Sequence, residues 1–220
     1  VQVATRPVRA PLTRKQAKER TRGRLLATAR RLLFASGLEA ISASAVARGA
    51  GVGGATFYEH FRNRDDLLRA LADQLFAGLR EGLTEPRREA LRAPTNEAKL
   101  RQQFRRPLEI LVANPALFRL ALGVRHHPGS PLGDSSRQLR RNTRSDLVDE
   151  LVARGYPHAK AAEQRRLEMV ADIHIAAVEA LALGYLNGRY TDLDEMVDVL
   201  VLMTHGTRLV RKLTEAGPAS

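Results

Sequence analysis

The feature that most constrains the fold is a glycine-framed break, Gly51-Val52-Gly53, between two short helical segments. Upstream, Ser42 is a good N-cap for a helix that presents Val46, Ala47 and Ala50 as a small apolar stripe. Downstream, Gly54 to Phe61 holds Thr56, Phe57, Tyr58, His60 and Phe61. The small side chains of Ala47, Ala50 and Val52 let two helices approach closely. Gly51 supplies a turn conformation that a residue with a Cβ resists. The pattern predicts a helix-turn-helix, whose second helix enters a major groove while the first crosses the backbone.

The flanks support a polyanionic partner. Residues 1–70 hold 14 Lys/Arg and 5 Asp/Glu, so they carry +9 of the +12 net charge. Such asymmetry assigns the partner to the N-terminal third. Residues 1–13 contain Pro7, Pro11 and scattered arginines without periodicity and are expected to form a flexible basic arm. Thr13 caps a predicted helix carrying Leu25, Leu26, Ala29, Leu32 and Leu33, which Gly37 stops. Asn63 caps a further helix, with Asp65 and Asp66 placed favourably in its first turn, and the stripe Leu67, Leu68, Leu71, Leu75, Leu79 runs to about Gly82.

The rest of the chain reads as helices, with no β-branched alternating run. Pro86 and Pro94 are expected to frame a charged connection. Thr95 is the expected cap of a helix to about Ala113, kinked or broken at Pro107. Asn114-Pro115 starts a short helix ending near Gly123, and residues 126–133 read as a loop. A helix from about Asp134 to Arg154 follows, then a long one over 159–187, apolar almost all round except for Asp172, His174 and Glu179. Thr191 is the expected cap of the last helix. The apolar breadth of the last two helices, about 159–187 and 192–214, exceeds one stripe and points to a homodimer interface.

The run from Gly37 through Ile41-Ser42, Val46-Ala47, Ala50-Gly51-Val52, Thr56-Phe57-Tyr58-Glu59-His60-Phe61 and Asn63-Arg64-Asp65-Asp66-Leu67-Leu68 resembles the DNA-binding segment of TetR-family transcriptional regulators. The resemblance covers roughly residues 14–82; the remainder matches in length and helical character only. It implies a phosphate contact from Ser42, from the Tyr58 hydroxyl and from Arg64, a match of His60 to the motif histidine, and base reading by Gly53, Gly54, Ala55 and Thr56. Phe57 and Phe61 should pack inward. This chain departs from the family at Gly53-Gly54, where members carry Ser and a longer side chain. Specificity is therefore expected to lean on Arg48, Thr56, an Ala55 contact to a thymine methyl, and the arm in a minor groove.

Other chemistry is sparse. The chain has no Cys, which removes disulfides, thiolate nucleophiles and Cys-ligated zinc. His126-His127 diverge on any element and lack a carboxylate at ligand spacing, so no metal site is expected. No nucleophile elbow, phosphate-cradling glycine loop or HExxH motif is present, so no catalytic residues and no enzyme are expected, and no cofactor. His174 is either a satisfied core histidine or a polar contact inside a ligand cavity. Phe104, Leu108, Leu111, Phe118, Leu122 and Val178 join it as candidate ligand-lining positions. No apolar run approaches the roughly 20 residues of a membrane span, and no signal peptide is seen, so a cytoplasmic location without membrane contact is expected.

The expected architecture is all-α: an arm over 1–13, a three-helix helix-turn-helix DNA-binding domain over 14–62, and a helical ligand-binding and dimerisation domain over 63–220. The resemblance implies a homodimer on a palindromic operator in double-stranded DNA, released by a hydrophobic small-molecule effector. The alternative is a DNA-binding dimer without small-molecule control.

Overall fold

The computed structural model describes residues 13–91, 96–127 and 129–215, excepting the side chains of 84–91 and 205–215. Among these residues there is no strand, and nine α-helices follow one another. They are α1 (Arg14–Ser36), α2 (Ala43–Gly49), α3 (Gly54–His60), α4 (Arg64–Leu91), α5 (Glu97–Ala113), α6 (Pro115–Val124), α7 (Pro131–Ala153), α8 (Ala161–Leu186) and α9 (Leu193–Glu215), with a short 3₁₀ turn at Leu38–Ala40. The chain divides into two compact units, residues 1–71 and 72–220, with the division inside α4. Residues 1–12 of the expected arm over 1–13, with Pro94 and Thr95, lie outside the described residues.

The N-terminal unit is built on caps that the sequence signals. Thr13 and Gln16 form a reciprocal capping box at α1, Ser42 caps α2, and the Asn63 side chain accepts from the Asp66 amide at 2.9 Å. Leu25 and Ala29 of α1, Val46 of α2 and Phe57 of α3 are fully buried, and Phe61, Leu67, Leu68 and Leu71 join them. Burial of each large side chain contributes about 1.5–3 kcal/mol.

Several expected boundaries move. Helix α4 continues past Gly82 and through Pro86 to Leu91. Asn96, not Thr95, caps α5, accepting from the Lys99 amide at 2.9 Å. Pro107 sits inside a continuous α5, and the chain instead turns by 93° between α5 and α6. Asn114 does not cap α6 with its side chain; its Nδ2 donates back to the Ile110 carbonyl at 2.9 Å. Helix α7 starts at Pro131, three residues before Asp134, because proline suits the first helical turn. Asp192, rather than Thr191, caps α9, with its carboxylate accepting from the Asp194 amide at 2.7 Å.

In the C-terminal unit α8 packs against α5 and α7, α9 against α5 and α8, and α6 against α7. Contrary to the sequence expectation, α8 contains an 18-residue window apolar enough to cross a membrane, the one such single helix among the described residues. Two of its acidic side chains are held by arginines from outside the helix, which suits a bundle helix. Glu179 pairs with Arg125 and Arg140, and Asp172 with Arg140 and Arg144.

Candidate nucleic-acid interface and ligand cavity

The helix-turn-helix is fixed by a small set of contacts. Gly51 adopts φ +64°, the left-handed region where a Cβ is costly, and the Val52 amide closes the turn on the Ala47 carbonyl at 3.0 Å. A Cβ at Gly49 would come 2.8 Å from Thr28 Cγ2, so a residue without one lets α2 lie close on α1. The carbonyls at the C-terminal end of α2 carry partial negative charge. They are met by arginines of α1: Arg24 donates to the Ala50 carbonyl, and Arg31 to Gly49 at 3.3 Å. From the start of α4, Arg64 donates through Nε to the Ile41 carbonyl at 2.7 Å and through Nη2 to the Leu38 carbonyl at 2.9 Å.

The expected DNA-facing residues take distinct positions. Ser42 is exposed and its hydroxyl accepts from the Ala45 amide at 3.2 Å. Arg48, Gly53, Gly54 and Ala55 are exposed and Thr56 is half-buried. No side chain caps the first turn of α3. Tyr58 is 61% exposed, with its ring edge-on to buried Phe57 at 5.3 Å. His60 is half-buried, and its Nδ1 is buried with no hydrogen-bond partner among the described residues. Burial, then the nearby Lys18 and Arg22, lowers its pKa from 6.5, with Glu59 opposing. Arg64 is half-buried and anchored to carbonyls at two of its nitrogens.

The basic excess of this unit is therefore partly structural. Arg24, Arg31 and Arg64 serve backbone carbonyls, and Arg22 lies over the Phe61 ring at 4.5 Å. Sequence reasoning missed these uses because the carbonyl partners of the first three lie 18 to 26 residues away in the chain.

The C-terminal unit encloses a cavity of about 100 Å³. Of the candidate lining positions, Phe104, Leu111, Phe118, His174 and Val178 border it; Leu108 and Leu122 do not. Leu108 is fully buried in the surrounding core, and Leu122 is half-buried on α6. The polar lining was missed: Gln103, Arg125, Arg140, Glu150, Arg154 and Glu179 also face the cavity. His174 Nδ1 lies 2.7 Å from the Val170 carbonyl, which can only accept, so this nitrogen carries the proton. The imidazole stacks on Phe104 with centroids 5.9 Å apart and planes 8° apart. Asp172 turns instead to Arg140 and Arg144. His126 and His127 are exposed, and no group of three metal-type ligands occurs among the described residues.

Two short helices on a glycine turn, packed on a third helix and followed by a separate helical unit, define the class of helix-turn-helix proteins. Residues 25–71 match the model of the bacterial regulatory proteins of the tetR family. That match gives residues 25–71 the likeness of the N-terminal segment of these regulators.

Solved structures show the same fold over most of the chain. A transcriptional regulator from Rhodococcus sp. is 22% identical, with a TM-score of 0.61 over 83% of this chain and 94% of its own. A TetR-like transcriptional regulator from Rhodococcus sp. is 16% identical, with a TM-score of 0.56 over 87% of this chain and 94% of that one. The transcriptional regulator FadR from Bacillus subtilis, solved in complex with stearoyl-CoA, is 14% identical, with a TM-score of 0.56 over 82% of this chain and 96% of its own.

Proposed function

We propose that the chain is a dimeric repressor that binds a palindromic operator and leaves it when a small molecule occupies the C-terminal cavity. Residues 14–62 bind DNA, and residues 63–220 sense the ligand and dimerise. The observation that carries the DNA reading is the exposed face of α3. Gly53, Gly54, Ala55 and Tyr58 stand open on a turn fixed by Arg24 and Gly51, while Phe57 anchors the helix inward. Ser42, Tyr58 and His60 supply donors for phosphates, Arg48 and Thr56 read bases, and Arg64 holds the entrance to α2 within reach of the backbone.

An exposed apolar stripe supports dimerisation. Met169, Ile173, Ala176 and Ala180 recur at helical spacing on α8, and Val199 and Leu202 are exposed on α9, Leu202 at 71%. A second copy of the chain covers this stripe. FadR, whose solved complex holds stearoyl-CoA, shares the fold and supports a hydrophobic effector here.

Release follows from a population shift. The ligand favours the conformation in which the two heads mismatch the half-site spacing, and it acts only through its differential affinity for the two states. Helix α4, which carries residues of both units, transmits the change. The test is selection of operator DNA by the full chain, followed by titration across salt concentrations. Binding by a dimer that weakens steeply with salt is expected. A flat salt response, or binding by a monomer, overturns the proposal.

A further inference from the structure

Two residues that line the cavity each carry a buried donor with no acceptor among the described residues: Arg125 at Nε and Gln103 at Nε2. Each sits in a different polar cluster. At one end, Arg125 gives both terminal nitrogens to Glu179, at 3.1 and 2.7 Å, and Glu179 also accepts from Arg140 at 3.0 Å. At the other, Gln103 Oε1 accepts from Arg154 at 2.6 Å, and Arg154 pairs with Glu150. An arginine can only donate, so this contact fixes the amide with its oxygen towards Arg154 and its NH₂ available to another partner.

The clusters are well separated. Arg140 and Glu150 lie ten residues apart on α7, which is about 15 Å along the helix. Apolar groups such as Phe104, Leu111, Phe118, Leu139 and Ile175 line the cavity along with them. The charges also differ. At the Arg125 end three arginines, 125, 140 and 144, share two carboxylates, Glu179 and Asp172. At the Gln103 end Arg154 and Glu150 balance.

An unsatisfied buried donor is costly, and an acceptor on a ligand relieves that cost. We infer that the effector is an elongated amphiphile with an accepting group at each end. A carboxylate meets Arg125, a neutral hydroxyl or carbonyl oxygen meets Gln103, and an apolar chain or ring system joins them. The inference rests on the effector-cavity reading above and names the chemistry of that site.

The test uses the full chain with three chain-matched probes, ω-hydroxydodecanoate, dodecanoate and dodecanol, each displacing the apolar dye Nile red. The two-headed acid is expected to bind roughly tenfold more tightly than either single-headed probe. Gln103→Met, which keeps the volume but has no donor, removes the advantage over dodecanoate and leaves dodecanoate binding unchanged. Arg125→Lys, which keeps a cation beside Glu179 but lacks Nε–H, removes the advantage over dodecanol. Melting temperatures close to wild type verify that both variants are folded. If all three probes displace the dye equally, or if the variants bind them as the wild type does, the two-headed inference falls while the effector cavity stands. If neither dye nor probes bind, the effector-cavity reading falls as well.

Discussion

Arg64 Nε donates to the Ile41 carbonyl oxygen at 2.7 Å, tying the start of α4 to the residue before the Ser42 cap. With its second bond to Leu38, this side chain ties the start of α4 to both ends of the 3₁₀ turn that precedes α2. Arg64→Ala is expected to destabilise the chain by about 1–3 kcal/mol, because two part-buried carbonyls lose a charged donor. Arg64→Lys should recover only part of this, since an ammonium cannot fork to two acceptors in the same way. Urea unfolding of the full chain measures both.

Tyr58 is exposed, and its hydroxyl makes no hydrogen bond among the described residues. Tyr58→Phe should leave the unfolding midpoint unchanged and weaken binding to selected operator DNA by about tenfold to a hundredfold, the value of one hydrogen bond to a charged acceptor. Equal affinity of the two proteins in a fluorescence-anisotropy titration removes Tyr58 from the interface.

Gly51 holds the turn at φ +64°, and a Cβ there would also approach Arg24 Nη2 at 3.2 Å. Gly51→Ala should cost about 1–2 kcal/mol from the backbone alone. DNA binding should weaken further than the loss of folded protein explains, because the turn sets the angle of α3. Comparing affinity per folded molecule with the unfolding free energy separates the two effects.

His60 gives the head a pH dependence of defined sign. Its pKa in the folded chain lies below the ordinary 6.5, so the folded state favours neutral imidazole. The stability linked to His60 is complete above the unfolded value and declines as pH falls through and below 6.5 towards the lowered folded value. The melting temperature of the wild type should therefore fall over this window more than that of His60→Gln. Parallel curves for the two proteins contradict the assignment.

Ile173 is 56% exposed within the α8 stripe. Ile173→Glu should leave the monomer fold intact and shift sedimentation from dimer to monomer, since a carboxylate in an apolar interface is left unpaired. Unchanged sedimentation at micromolar concentration argues against this face.

The local physics of the head was legible from its sequence. Thr13, Ser42 and Asn63 act on amides three residues away, and Gly51 answers to a local turn, so each leaves a short-range signature. Boundaries in the second half were less legible. Pro107 disfavours a helix interior locally, yet α5 continues through it, because buried neighbours at Phe104, Leu108 and Leu111 hold the helix together. The cavity was half legible. Phe104, Pro107 and Leu111 line it, while Leu108, one step of about 100° further round than Pro107, faces away. Which side of an apolar stripe borders a void depends on neighbouring helices. The polar lining was illegible for the same reason: Arg125 finds Glu179 54 positions along the chain, and Arg154 finds Gln103 51 positions back.

The arginines that serve carbonyls have a consequence for genetics. In a screen for loss of the proposed repression, substitutions at Arg24, Arg31 and Arg64 would cluster with those at Tyr58 and Arg48 and read as one surface. Protein abundance divides the group. The first three should lower the steady-state level of the regulator in the cell, as modest destabilisation commonly does. Tyr58 and Arg48 variants should accumulate normally and, in the proposed dimer with a wild-type subunit, act dominantly.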